Sequence, residues 1–482
     1  MVIANREELL SGDIIEGRRI ILDIVDEALR QVNYYNIIKR IASANDGIIK
    51  IGDVEFDLHE FRNIYLVGGG KGVSFMAQAL EEILGNRIKS GVMIEKKGAS
   101  PRQTRIPIIL GGHPLPDEDS VKGALEIIRT ARLANDRDLL IVCVSGGWTA
   151  LASAPPFGIS LQEFRETYEL LLRSGMTLTQ MNTVRYHLSQ LGKGKIPLLT
   201  DRATVLGLIA SDEVGGRPWG PTVPDPCSFT DATRVLKQFD LLPLVPANVR
   251  KYLEGGDAKE ETPKPGDYAR REVKVRNIVI ADNAVMCEAA NRAAAKLGLN
   301  SHILTTTLEG EAKHVGTVVA SLANEISRFS RPFQPPCVVI AGGETTVTIA
   351  GEAGEGGRNQ ELALSAALSI QHGKVTIASI GTDGTDGPTD IAGALVDGTT
   401  IRRAADVRVN LPDELKKHNS SFVLRKLRDA IFTHDTGTNL MDLVVIYVGN
   451  DRLKQKAPKS TCENPMRDKS ATEHQGRSSV IG

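Results

Sequence analysis

The sequence predicts an α/β protein of two domains, each with a mostly parallel, Rossmann-like sheet, and an active site in the cleft between them. Three observations carry this. Seven short apolar runs each end in a turn of glycine, serine or aspartate. Runs this short and without polar alternation suit parallel strands covered on both faces. Stretches with apolar residues at helical spacing lie between them. Finally, 482 residues and 52.0 kDa exceed one ordinary domain.

The runs are 64–67 before Gly68-Gly69-Gly70-Lys71, 106–110 before Gly111-Gly112-His113, and 139–144 before Ser145-Gly146-Gly147. They continue with 205–210 before Ser211-Asp212, 278–281 before Asp282-Asn283, 337–341 before Gly342-Gly343-Glu344, and 376–380 before Gly381-Thr382-Asp383-Gly384. Open α/β sheets bind ligands beyond the carboxyl ends of their strands. Glycine there lets backbone amides approach an anion, and a following helix N-terminus favours negative charge. The pattern points to an enzyme acting on an anionic small molecule.

Helical spacing covers residues 6–44, stretches after Lys71 and after Asp119, and 161–174, 285–297, 316–328 and a segment after Asn359. Residues 254–276 are dense in charge, with two prolines and three glycines, the composition of a linker or surface insertion. The expected division is a domain over 1–255, a linker or insertion over 256–276, a second domain over 277–450, and a disordered tail over 451–482, which lacks any apolar period.

Composition narrows the partners. A net charge of −1 supplies no field for nucleic acid or an anionic membrane. Five scattered cysteines without CxxC spacing read as reduced thiols. Glu7, Glu8 and Asp13 interrupt the N-terminus, which does not read as a signal peptide, and no run has transmembrane length. A cytoplasmic protein, monomer or homodimer, is expected.

Four motifs carry chemistry. Gly68-Gly69-Gly70-Lys71 is not a Walker A loop, because Tyr65 and Gly72 stand where a glycine and a Ser or Thr belong. It is not GxGxxG either, since Val73 occupies the third glycine position. It is either a tight turn with a solvated lysine or a lysine placed to meet a phosphoryl group as a point charge. Ser145-Gly146-Gly147 lacks the preceding glycine of a nucleophile elbow, Cys143 standing there. A backbone nest for phosphate or carboxylate fits better, although Trp148 is bulky for one.

In 342–364, residues 345–349 read as a strand, a glycine-rich hairpin follows, and Arg358 falls in the first turn of an apolar helix. A cation there opposes the helix dipole, which argues for a nearby anion; the bland reading pairs it with Glu361 or Glu355. In 381–390, Asp383, Asp386 and Asp390 lie within eight residues. Such carboxylates hold Mg²⁺ or activate a hydroxyl, while each alone is an ordinary turn former or cap. His113 and the group Asn182, Arg185 and His187 are weaker signals, and no histidine spacing suggests zinc.

With these pieces assembled, the chain resembles the class II glycerate kinases, the glycerate 2-kinase family with a C-terminal MOFRL domain. The matching stretches are VGGGK at 67–71, GGHPLPDEDS at 111–120, SGG at 145–147, NTVRYHLS at 182–189 and SDEVG at 211–215. GGETTVT at 342–348, GGRNQELAL at 356–364, GTDGTDGPTD at 381–390, HNS at 418–420 and TGTNLMDL at 436–443 complete them. The resemblance implies ATP-dependent phosphorylation of D-glycerate at the 2-hydroxyl with a divalent metal, and a catalytic pair at Lys71 and Arg358. On this reading Gly68, Gly69, Gly70, Ser145, Gly146 and Gly147 cradle phosphates. Asp212 or Asp386 orients the attacking hydroxyl, and Asp383 with Asp386 holds Mg²⁺. The other enzymatic reading, an NAD(P)H-dependent hydroxypyruvate reductase, lacks both GxGxxG and an acidic residue about 20 positions beyond it.

Overall fold

All seven apolar runs become strands in the computed structural model, which describes residues 1–11, 14–349, 351–371 and 373–450. A short antiparallel meander comes first: β1 (Ala42–Asn45), β2 (Ile48–Ile51) and β3 (Val54–Asp57). The first large sheet comprises β4 (Asn63–Gly69), β5 (Ile88–Lys96), β6 (Ile108–Gly111), β7 (Asp138–Val144), β8 (Thr204–Ala210) and β9 (Lys274–Ala281). Its order is β6-β5-β4-β7-β8-β9 and every pairing is parallel. The strand order reverses beside β4, the place where such sheets seat ligands.

The second sheet comprises β10 (Asn300–Leu308), β11 (Cys337–Gly343), β12 (Val375–Gly381), β13 (Gly393–Asp397), β14 (Ala430–Ile431) and β15 (Asp442–Val448). Its order is β10-β11-β15-β12-β13-β14. Only β10 and β11 run parallel; β15 returns antiparallel between β11 and β12. The fold is α/β, with one wholly parallel and one mixed sheet. Being antiparallel, β15 brings its first residue, Asp442, opposite Gly343 and Gly381, where β11 and β12 end.

Three local readings change. The helical run at 6–44 divides into Arg6–Leu9, Ile15–Val32 and Tyr34–Ile41, and the chain turns extended at Ala42. Residues 345–349 form no strand; Thr346 makes a single bridge to Glu311. The charged stretch 254–276 is anchored: Thr262 is buried, Glu261 pairs with His187 at 2.9 Å, and Lys274–Arg276 already belong to β9. β9, expected to open the second domain, extends the first sheet beside β8.

The helix Ile15–Val32 lies on the second sheet, far from its place in sequence. Gly17 lets it approach Tyr447, where an added Cβ would sit 3.2 Å from the ring. Residues Met1–Asn450 form one compact unit whose largest apolar core joins residues of both sheets. Residues 451–482, expected as a tail and including Cys462, lie outside the described residues. Among the described residues no helix is long and apolar enough to cross a membrane.

Candidate active site

The carboxyl ends of β4, β7 and β8 build one wall. Gly68 and Gly69 belong to β4 itself, paired on both sides, and their bareness serves packing: a Cβ on Gly69 would press on Trp148 at 3.1 Å. Gly70, at φ 128°, carries the chain over the Ser145 carbonyl, where no side chain fits. The amides beyond are taken. Gly70 donates to the Ile94 carbonyl (3.1 Å), Lys71 to that of Gly146 (2.9 Å), and Gly72 to Glu95 Oε1 (2.6 Å). Ser74 N–H donates to the other Glu95 oxygen at 3.2 Å. The N-terminus of helix Val73–Leu84, read from sequence as an anion seat, therefore holds a carboxylate of the protein. Burial pushes the Glu95 carboxyl up to about 7.

Ser145 Oγ lies 2.9 Å from the Tyr34 hydroxyl, which also bonds both backbone groups of Asn439. Trp148 resolves the doubt about its bulk: it turns inward, 1% exposed, and donates to the Leu191 carbonyl. Gly146 leaves room for Asp212 and Asn439, both of which a Cβ there would overlap.

The second sheet supplies the opposite wall. Arg358 begins the helix Arg358–Ser369 and grips Asp442 through Nε (2.6 Å) and Nη2 (3.0 Å), with Glu344 Oε1 at 3.0 Å from Nη2. The anions that offset its opposition to the helix dipole are thus Asp442 and Glu344, not Glu361 or Glu355. Glu361 instead meets His418 at 2.6 Å.

The aspartates of 381–390 separate in role. Asp383 Oδ2 accepts from Lys71 Nζ at 2.5 Å, joining the two walls. Burial opposes the Asp383 charge, but Lys71 holds its carboxyl down to about 2. Asp386 serves the helix: its oxygens accept from the Asn359 amide (3.1 Å) and the Gln360 amide (3.0 Å), capping it. Both of its oxygens are engaged by the helix that presents Arg358, which does not match the expected part as base or metal ligand. Among the described residues no group of three or more His, Cys, Asp or Glu is arranged to hold a metal.

Asp212 stands beside Lys71, with burial and the charge of Glu344 raising its carboxyl to about 7. His113 packs where a Cβ on Gly147 would lie 3.1 Å away, and burial with Lys71, Lys96 and Arg185 pushes it down to about 3. The structure brings together Lys71, Arg358, Asp212, Asp383 and the 145–147 turn. Glu344, Asp442, Asn439 and Tyr34 had not been singled out. Glu344 carries the same signal as Lys71, a charge after an apolar run and consecutive glycines. Asp442 begins its apolar run, so a search beyond strand ends passes over it.

Two sheets whose ends converge on paired cations and carboxylates define an α/β enzyme that handles anions. Two family models match the chain: "Domain of unknown function (DUF4147)" over residues 20–254 and "MOFRL family" over 337–442. A glycerate 2-kinase from Pyrococcus horikoshii is 40% identical over 441 residues, covering 90% of this chain and 98% of that one. The crystal structure of a glycerate kinase from Thermotoga maritima superposes with a TM-score of 0.74 at 32% identity, covering 89% of this chain and 99% of that one. A relative from Agrobacterium vitis, 34% identical over 80% of this chain and 99% of its own, bears the provisional name hydroxypyruvate reductase. The chain belongs to the glycerate 2-kinase family.

Proposed function

We propose that this protein is a glycerate 2-kinase that transfers the γ-phosphoryl group of ATP to the 2-hydroxyl of D-glycerate, with Mg²⁺. The observation that carries this is the meeting of Lys71, from the end of β4, with Asp383 from the end of β12, in the field of Arg358. Phosphoryl transfer asks little covalent chemistry of the protein; it needs charge neutralised and oxygens held in line. Lys71 suits the transferring group as a point charge, and Arg358, locked by Asp442, suits it as a planar fork. Asp212 is the base: with a carboxyl near 7 it both accepts the hydroxyl proton and ionises at neutral pH.

The donor set fits Mg²⁺, which takes one or two carboxylates plus phosphate oxygens. Asp383 and Glu344 would hold it: burial raises the Glu344 carboxyl, with Asp442 and Asp383 adding to the rise, and a cation would favour its ionised form. Bound there, the ion would neutralise phosphate charge. The reductase reading finds no support in the site, since the first helix N-terminus beyond a glycine turn is filled by Glu95 rather than open to a pyrophosphate.

Phosphorus NMR of the products from D-glycerate, ATP and Mg²⁺ tests the proposal. 2-Phosphoglycerate is expected. Exclusive 3-phosphoglycerate would overturn the regiochemistry, and NADH oxidation by hydroxypyruvate without phosphorylation would overturn the reaction class.

A further inference from the structure

Helix Leu178–His187 holds a buried cation that no described residue neutralises. Arg185 is 6% exposed, and its Nε and Nη2 have no hydrogen-bond partner. Its Cζ lies over the Tyr168 ring, 4.7 Å from the centroid, and Tyr168 is itself fixed by donating to the Thr149 carbonyl at 2.9 Å. No carboxylate among the described residues lies within ion-pair distance. The other buried guanidinium among the described residues, that of Arg18, is paired with Asp397 (2.6 Å) and Asp429 (2.9 Å). Burying an unpaired charge is strongly unfavourable, so an orphan fork seated over an aromatic ring calls for an anion from outside.

Its position says which anion. The turn Ser145-Gly146-Gly147 leads into the short helix Trp148–Leu151, which Tyr168 contacts, and Arg185 helps keep His113, beside Gly147, unprotonated. Nε and Nη2 form the edge with which Arg358 grips the Asp442 carboxylate in this same protein. Next in sequence, the Tyr186 hydroxyl is also buried without a partner and lies in the field of Asp212 and Glu213; Asn182 Oδ1, three residues back, is likewise unpartnered. The same helix thus carries an empty carboxylate-shaped edge, a spare hydroxyl donor in the field of the proposed base, and a spare amide acceptor.

We infer that Arg185 binds the carboxylate of the acceptor substrate, with Tyr186 and Asn182 beside it, making this the subsite that selects a small 2-hydroxy acid over neutral alcohols. The inference rests on the kinase reading and adds a specificity residue to it. Both orphan nitrogens are shielded from solvent, so an acid paired with them is held in a dry setting, where the fork is strong.

The test compares the full-length wild type with R185Q and R185K on D-glycerate and on D-glyceramide, its uncharged analogue, and follows heat stabilisation by sodium D-glycerate without nucleotide. The wild type should prefer the acid strongly. R185Q should raise the KM for D-glycerate roughly 10- to 100-fold, the worth of hydrogen bonds to a charged group, leave the KM for ATP within about twofold, lose the acid-over-amide preference and lose the heat stabilisation. R185K, with charge but no fork, should fall between. A wild-type glycerate KM in R185Q, a rise confined to ATP, or a wild type that accepts the amide equally would overturn the assignment; the last needs no variant to fold. If the wild type transfers nothing to D-glycerate, the kinase reading falls. Heat stabilisation that depends on Arg185 would still uphold the carboxylate site.

Discussion

Lys71 and Asp383 neutralise one another at 2.5 Å across the cleft. Burial works against the lysine's charge, yet Asp383 more than compensates and its affinity for the proton rises, so it is cationic throughout the neutral range. A phosphate arriving there exchanges one anion for another. Lys71→Ala should lower kcat by roughly 10²–10³-fold, the loss typical of one electrostatic stabiliser. Arg358→Lys keeps charge but loses the two-point grip on Asp442 and should also be slow. Steady-state kinetics on folded variants decide it: near-normal kcat/KM in Lys71→Ala would return the lysine to a structural pair. Asp212 gives a second prediction, with opposite signs for activity and stability. Its carboxyl, normally near 3.8, rises to about 7 on folding, so the folded state binds the extra proton. The stability this contributes is complete below about pH 3.8 and is lost as pH climbs to about 7. Asp212→Asn should therefore melt above the wild type at pH 8 and close to it at pH 4. In the wild type, kcat/KM should climb with pH to a plateau above about 7, where the base is ionised. In Asp212→Asn it should be low and lack that step. A variant no more stable than wild type at pH 8 would remove the basis for the assignment.

Elements place these residues, and here sequence reading succeeded unevenly. A strand that ends at the cleft announces itself, since an apolar run meets glycine or an acid; Lys71, Ser145, Asp212 and Asp383 were all found by that rule. A strand that begins at the cleft has no such signature, which is why β15 and Asp442 went unseen. The run 345–349 alternates threonine with valine and isoleucine as a strand would, yet it finds no neighbouring strand beyond the Glu311–Thr346 bridge. Nor does spacing tell which way an aspartate turns. Asp383 and Asp386 are three residues apart, but one faces Lys71 and the other caps the helix that presents Arg358. Asp386→Ala should thus act through an element. Loss of the cap should cost about 1–2 kcal/mol, and Arg358, one residue before the two amides that Asp386 holds, should lose its fixed place. Thermal melting should fall and kcat drop, with the metal dependence of the residual activity unchanged. A shift in the Mg²⁺ concentration for half-maximal rate would instead make Asp386 a ligand.

At the scale of the molecule the chain does not divide where its composition changes. The charged stretch 254–276 looked like a boundary, but His187, Thr262 and β9 tie it to the first sheet, while the helix Ile15–Val32 lies against the second. Burial pattern cannot reveal this, because an amphipathic helix carries no record of which sheet covers its face. One residue does mark the crossing. Arg18 is 2% exposed and joins Asp397 and Asp429, 379 and 411 residues away in sequence. Asp397 lies opposite Thr376 at the start of β12, the end of the sheet away from the cleft. Arg18→Met should leave two buried carboxylates with less compensation. Asp429 keeps Arg403 at 2.7 Å, whereas Asp397 keeps the amide and hydroxyl of Thr399. Breaking such a pair costs about 3–5 kcal/mol, a large share of the stability of any domain. The denaturant midpoint should fall accordingly, while the KM for D-glycerate in the folded fraction stays near wild type. Adding Asp397→Asn should recover part of the loss, because the uncompensated charge is then gone. If the double variant is no more stable than Arg18→Met alone, the arginine holds the helix by packing rather than by charge.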